Sequence, residues 1–336
     1  MIDLRSDTVT RPTAAMLQAM VNAPVGDDVM EADPSVQRLQ QVLAERVDKE
    51  AGLFFPSGTQ SNLAALMAHC GRGDEYLVGQ LAHTYKYEGG GAAVLGSIQP
   101  QPVEHAPDGT LPLGKLAAAV KPKGDPHFAR TRLLALENTF QGKVIPAAYI
   151  DEAAAFARQH GLGLHLDGAR VFNAAVASGR AAHDICKPFD SVSICFSKGL
   201  GAPVGSVLVG SKALIDEARR WRKVLGGGMR QSGFLAAACL HALDHHVERL
   251  AQDHENAAVL AEGLRGIEGV SVLAQNTNMV FVEFAPEHCE KLSEALRTQD
   301  IMVRAVYQGP TRLVTHLDVS RDDIRKVVEA IRAYFD

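Results

Sequence analysis

Apolar and polar positions along the chain repeat with two different periods. The run "RLLALE" (132–137) reads as a buried strand, and "AAYIDEAAAFARQH" (147–160) carries its apolar residues at helical spacing. "LGLHLD" (162–167), "SVSICFS" (191–197) and "GSVLVG" (205–210) read as further strands, followed by a helix over 211–224. Strands that are apolar on both faces and alternate with helices imply an α/β architecture, a largely parallel sheet covered by helices. After a long connecting helix, expected near 230–264, the pattern changes. Three β-rich runs (277–284, 301–306 and 311–317) interleave with helices of about 290–299 and 321–335. Ser320 and Asp323 form an S-x-x-D capping box ahead of the last helix. On this reading the chain has a large domain over 1–245, N-terminal segment included, and a smaller α+β domain over 246–336.

Two of the apolar runs end abruptly in a charge followed by glycine. Asp167 closes "LGLHLD" and Lys198 follows "SVSICFS". Burying an unpaired charge costs several kcal/mol, and ligands of doubly wound sheets sit beyond the carboxyl ends of the strands. A partly desolvated lysine forms Schiff bases with carbonyls. A carboxylate facing a pyridine nitrogen keeps that nitrogen protonated. Together these are a protein's contribution to pyridoxal phosphate chemistry. From the pair alone, a buried Asp–Lys ion pair with no ligand is an equal reading.

Other residues tilt the balance. In "LFFPSGTQSNLAALMAHC" (53–70) a strand runs through Ser57-Gly58-Thr59 into a helix, a phosphate site built from free N–H groups and a hydroxyl. His83 stands after an apolar run and before the glycines of "AHTYKYEGGGAA", where an imidazole can lie on a ring or move a proton. Arg170 lies three residues past Asp167, and Arg312, in a small-domain strand, suits a bidentate carboxylate contact. Arg230 follows "GGG" (226–228) as a second anion contact. His241 and His245 share a helix face without the glutamate of H-E-x-x-H, so no metal site is expected.

Charge and composition remove several classes of function. The net charge is −5 and no basic cluster is present, which argues against nucleic acid or a membrane surface as partner. No apolar run approaches the ~18 residues of a membrane span, and Asp3, Arg5 and Asp7 interrupt any secretory signal. The five cysteines include no C-x-x-C and read as reduced thiols of a cytoplasmic protein.

The segments "DLRSDTVTRPT" (3–13), "PSGTQSNL" (56–63), "AHTYKYEGGGAA" (82–93), "HLDGARVFNA" (165–174), "SKGLGAPVGS" (197–206), "GGGMRQSG" (226–233) and "RLVTHLDVS" (312–320) together resemble the L-threonine aldolases, more narrowly the low-specificity bacterial form. The resemblance runs from end to end. It implies the aspartate aminotransferase-like fold (fold type I), pyridoxal 5'-phosphate as cofactor, a small amino-acid substrate, and a homotetramer, a dimer of dimers with sites at subunit interfaces. By motif match Lys198 would hold the cofactor covalently, Asp167 would pair with its ring nitrogen, and His83 would stack on the ring. Gly58 and Thr59 would hold the phosphate, with Arg230 reaching it from a neighbouring subunit. Ser6 and Arg312 would bind the substrate carboxylate, Arg170 would lie near the cofactor hydroxyl, and His127 near the substrate hydroxyl. The implied reaction is retro-aldol cleavage of L-threonine, L-allo-threonine and other L-3-hydroxy amino acids to glycine and an aldehyde, with His83 or His127 as base. That would make it a glycine-forming, threonine-degrading enzyme. The alternative is another fold type I lyase, one that eliminates a β-substituent. Two departures, Met30-Glu31 where the family carries Tyr-Gly and Phe140 where many members carry histidine, are expected to act on the aldehyde side of the pocket.

Overall fold

The computed structural model describes residues 1–306 and 309–336. In chain order the strands are β1 (Ile2–Asp3), β2 (Ala51–Phe55), β3 (Asp74–Gly79), β4 (Gln99–Val103), β5 (Arg130–Glu137), β6 (Gly163–Asp167), β7 (Ser191–Cys195), β8 (Ser206–Gly210), β9 (Val270–Asn276), β10 (Met279–Phe284), β11 (Ile301–Met302) and β12 (Thr311–Val314). Seven of them form one sheet in the order β2-β8-β7-β6-β5-β3-β4. The five from β7 to β4 run parallel, and β8 is antiparallel to both neighbours. The expected α/β sheet is therefore present. β7 and β8 are buried along their whole length, as the strands read at 191–197 and 205–210 require, and β3, whose Asp74-Glu75 start hid it from the apolar pattern, is buried as well.

Helices pack on both faces. Ala147–His160 and Lys212–Val224 fall where their spacing put them, and the first ends at Gly161, whose φ of 67° is cheap only for glycine. The expected single helix near 230–264 is instead two, Gly233–His245 and Leu250–Leu264. The break lies at His246, which is buried and shares a 2.8 Å hydrogen bond with the Leu200 carbonyl. That contact draws the chain out of the helical path.

The C-terminal part has its own core, under an antiparallel sheet of order β12-β10-β9. The strand expected over 277–284 starts only at Met279, because Thr277 (φ 43°) turns the chain back onto β9, an edge strand the apolar pattern did not mark. The run at 301–306 supplies just the two residues of β11. The final helix, Arg321–Phe335, carries the capping box at Ser320 and Asp323.

The N-terminal segment joins this second core. β1 pairs in parallel with β11, the Val314 amide donates to the Leu4 carbonyl at 2.8 Å, and Leu4 is fully buried there. Ser6 and Asp7 are thereby held between the two cores.

Candidate active site

The carboxyl ends of β5, β6 and β7 converge on one cluster of charged groups. Asp167 is the last residue of β6 and is 4% exposed. The chain must turn at once, and Gly168 allows it: a Cβ there would lie 2.8 Å from the Val192 side chain. Lys198 lies three residues beyond the end of β7, half-buried, and its charge acts on Asp7, Glu137 and His83. Among the described residues no carboxylate lies within ion-pair distance of it. The Asp–Lys ion pair, one of the two open readings of the sequence, is thus not formed. Asp167 instead takes hydrogen bonds from the Asn62 amide at 3.0 Å and the Ala169 backbone N–H at 3.1 Å.

The phosphate-site residues sit at the start of the helix Gly58–His69. Ser57 caps it, its hydroxyl accepting from the Gln60 N–H at 3.2 Å. The N–H groups of Gly58 and Thr59 have no acceptor among the described residues, and Gly58 has a packing reason to be glycine. A Cβ there would lie 2.7 Å from the Cys195 sulfur. Free amides at the positive end of a twelve-residue helix, a lysine without a carboxylate partner and a donor-held buried aspartate are a donor set that fits pyridoxal phosphate.

Arg170 grips Asp7 in a two-pronged pair, Nε to Oδ2 at 2.7 Å and Nη2 to Oδ1 at 2.6 Å. Burial raises the pKa of the Asp7 carboxyl, but the Arg170 and Lys198 charges outweigh it and hold the group far below its usual range. Asn278, from the turn before β10, reaches the same carboxylate at 3.4 Å. Next to it, Ser6 accepts a hydrogen bond from the Thr8 N–H. Arg312, on β12, is exposed and has no carboxylate partner among the described residues. Partial desolvation and then the Arg170 charge lower its pKa, an unmet demand for an anion.

His83 opens a single helical turn after β3. Its Nδ1 lies 2.8 Å from Glu88 Oε1, its ring centroid is 5.8 Å from that of Tyr87, and its backbone N–H donates to Glu137 at 2.8 Å. The hydrogen bond to Glu88 raises the His83 pKa against the effect of burial. His127 and Arg230 stand apart from this cluster within the chain. His127 is exposed and bonded to Asp125 at 2.7 Å, while Arg230 is exposed and paired with Asp27 at 2.9 Å, three residues ahead of Gly233–His245 rather than opening that helix. Phe140 is buried and stacked on His105 at 4.0 Å, within the main core.

Sequence reading missed Asp7, Asn62, Glu88 and Glu137. Glu137 carried the same signal as Asp167, an apolar run ending in a carboxylate, and the two residues are paired in register on adjacent strands. Burial first, then the Asp167 charge, raises the Glu137 carboxyl to about 7. A group whose folded pKa is raised favours the fold fully below its unfolded pKa and loses that contribution as the pH climbs through the folded value. At 1.36 kcal/mol per pH unit the loss is on the order of 3 kcal/mol by about pH 8. Glu137→Gln should therefore raise the calorimetric midpoint by about 4 °C near pH 8 and leave it unchanged near pH 5.

The comparisons agree with this geometry. Residues 3–287 match the family described as beta-eliminating lyase. The low specificity L-threonine aldolase of Escherichia coli (strain K12) is 56% identical over 334 residues, covering 99% of each chain. Among solved structures, the threonine aldolase of Leishmania major superposes with a TM-score of 0.84 at 23% identity over 100% of both chains. A structure of SPT with PLP superposes with a TM-score of 0.77 at 19% identity, covering 99% of this chain and 87% of that one. The last two show the shared fold.

Proposed function

The chain belongs to the low-specificity L-threonine aldolases, within the beta-eliminating lyase family, and from that premise we propose how its own residues carry the reaction. The protein is a pyridoxal-phosphate-dependent lyase that cleaves L-threonine between Cα and Cβ to glycine and acetaldehyde. The observation that carries this reading at the level of residues is Lys198, without a carboxylate partner among the described residues, at the same strand ends as a buried Asp167 that takes hydrogen bonds from two neutral donors. Bound there, the cofactor supplies a carbonyl carbon that condenses with amines and a protonated ring that takes up the electron pair left on Cα.

In the proposed assignment Lys198 would hold the cofactor through its amine. Asp167 would keep a proton on the ring nitrogen, and the Gly58 and Thr59 amides would hold the phosphate. Arg170, locked by Asp7, would serve the cofactor hydroxyl. Arg312 and Ser6 take the substrate carboxylate and so set which bond at Cα is aligned to break. His83 or His127 removes the proton from the β-hydroxyl oxygen, which lets the aldehyde leave. L-allo-threonine and other L-3-hydroxy amino acids fit the same assignment, as does a role in forming glycine.

Holoenzyme incubated with L-threonine and with L-allo-threonine should release glycine and acetaldehyde. Ammonia and a 2-oxo acid would instead mark elimination of the β-substituent.

A cytoplasmic location is supported by five unpaired, buried cysteines. Among the described residues, no helix is long and apolar enough to cross a membrane. A homotetramer is supported by exposed apolar side chains, among them Leu17, Val21 and Phe234, on two helices that pack on each other. In the same proposal Arg230 reaches the phosphate of a neighbouring subunit. Arg230→Ala and Lys198→Ala, each inactive alone, should then regain activity when mixed under subunit exchange, at about a quarter of the parental level if half the chains pair across and one site in two is intact. Absence of recovery, with exchange demonstrated, would place Arg230 in its own chain's site.

A further inference from the structure

We propose that Asn62 is a positioning residue of this site: a one-way chain of buried hydrogen bonds sets its amide so that one N–H goes to Asp167 and the other to Glu88, which in turn sets His83. The inference rests on the roles given above to Asp167 and His83.

Asn62 is 2% exposed in the helix Gly58–His69. Its Nδ2 lies 3.0 Å from Asp167 Oδ2 and 2.9 Å from Glu88 Oε1, and its Oδ1 lies 3.2 Å from His165 Nε2. His165 Nδ1 lies 2.8 Å from the Ser191 hydroxyl, which lies 2.8 Å from His69 Nε2. One assignment of protons satisfies each of these side-chain contacts. The same amide nitrogen faces both carboxyl groups, and an ionised Asp167 can only accept, so the amide oxygen is the atom that faces His165. His165 must then donate from Nε2, which leaves its Nδ1 to accept the hydroxyl proton of Ser191. The Ser191 oxygen accepts in turn from His69 Nε2–H. Burial holds His165 at about 3 and His69 at about 4, so both stay neutral near physiological pH and the direction of the chain does not reverse.

The arrangement answers a real electrostatic problem. One ring nitrogen of His83, one carboxyl oxygen of Glu88 and one of Asp167 lie within 4.8 Å of one another. Two carboxylates that close repel, and one tends to keep its proton. A neutral amide gives each of them a hydrogen bond without adding a charge that would compete for Asp167. Glu88 then accepts from His83 Nδ1–H, and Nε2 on the far side of the ring has no hydrogen-bond partner among the described residues. The groups facing His83 are Glu88 on its own loop, Asn62 through Glu88, Asp167 ending β6, Glu137 ending β5, Lys198 beyond β7, and the Tyr87 ring. Of these, the hydrogen bond to Glu88 acts most strongly on it. The register supports the construction. His165 and Asp167 lie on one face of β6, two residues apart, and Ser191 is the β7 partner of His165.

Two holoenzyme variants test this. Exchange of the imidazole C2 hydrogen for deuterium, read by mass spectrometry without substrate, gives the His83 titration midpoint directly. In Glu88→Gln, which retains an acceptor for Asn62, that midpoint should fall by about one pH unit or more as the negative partner is lost. In Asn62→Leu, of similar bulk, kcat should fall about ten- to a hundredfold while KM for L-threonine changes by less than about threefold. Its dissociation constant for pyridoxal phosphate should rise by about tenfold, since Asp167 loses a donor. A His83 midpoint that stays put in Glu88→Gln overturns the proposal, and so does parental kcat and cofactor affinity in Asn62→Leu. If Asn62→Leu fails to fold, Asn62→Ala decides in its place by the same kcat and cofactor readouts, beside the exchange midpoint of Glu88→Gln. Because that midpoint is read without substrate, its failure is distinct from failure of the aldolase reading, which would show as a parent enzyme releasing no glycine.

Discussion

Lys198→Ala should lower kcat for L-threonine by ~10³-fold or more while the far-ultraviolet circular dichroism stays native. The structural cost is small because Lys198 has no carboxylate partner among the described residues and follows β7 instead of lying inside it. The chemical cost is large because the side chain has no substitute. The other groups at the strand ends are carboxylates, a histidine and Arg170, and none of them is an amine able to condense with a carbonyl. The variant should still take up pyridoxal phosphate through the amides of Gly58 and Thr59 and through Asp167, but a denaturing wash should strip it. Activity within about tenfold of the parent would show that Lys198 does not hold the cofactor.

Asp167→Asn should cut kcat by about 10²–10³-fold with the cofactor retained. The substitution is nearly isosteric, so packing around the 4%-exposed site is kept. What changes is charge and hydrogen bonding. A neutral amide no longer favours a proton on the ring nitrogen, so the ring accepts the Cα electron pair less well. The parental carboxylate also accepts two N–H groups, from Asn62 at 3.0 Å and Ala169 at 3.1 Å. An amide offers one oxygen and one NH₂, so one of the two donors is left facing another donor. Steady-state kinetics beside the absorbance spectrum of the bound cofactor would check this, and near-parental turnover would refute the role of Asp167.

The parts of this site that were legible in the sequence are those set by local pattern. Asp167 and Lys198 were visible because each interrupts an apolar run, and Ser57-Gly58-Thr59 because a cap and a glycine follow a strand. Long-range partners left no such mark. Asp7 looks like one more charge in a polar stretch, yet it is fully buried by Arg170, 163 residues away. Asn62 reads as an ordinary helix residue until β6 brings Asp167 to it and β3 leads into the loop that carries Glu88. The same limit explains the elements that differed. β9 is half-exposed at an edge, so its apolar signal is weak, and the break at His246 depends on a carbonyl 46 residues earlier. Where tertiary contact rather than spacing decides, the pattern falls silent.

The central claim is that Lys198 carries the cofactor, and borohydride reduction tests it most directly. Reduction of the resting holoenzyme locks the cofactor carbon to whichever nitrogen holds it, and tryptic mapping then finds that nitrogen. Lys198 is predicted as the one labelled residue, with the visible absorbance lost in step with labelling. A label on any other lysine, or none on an enzyme that still releases glycine from L-threonine, would contradict the account.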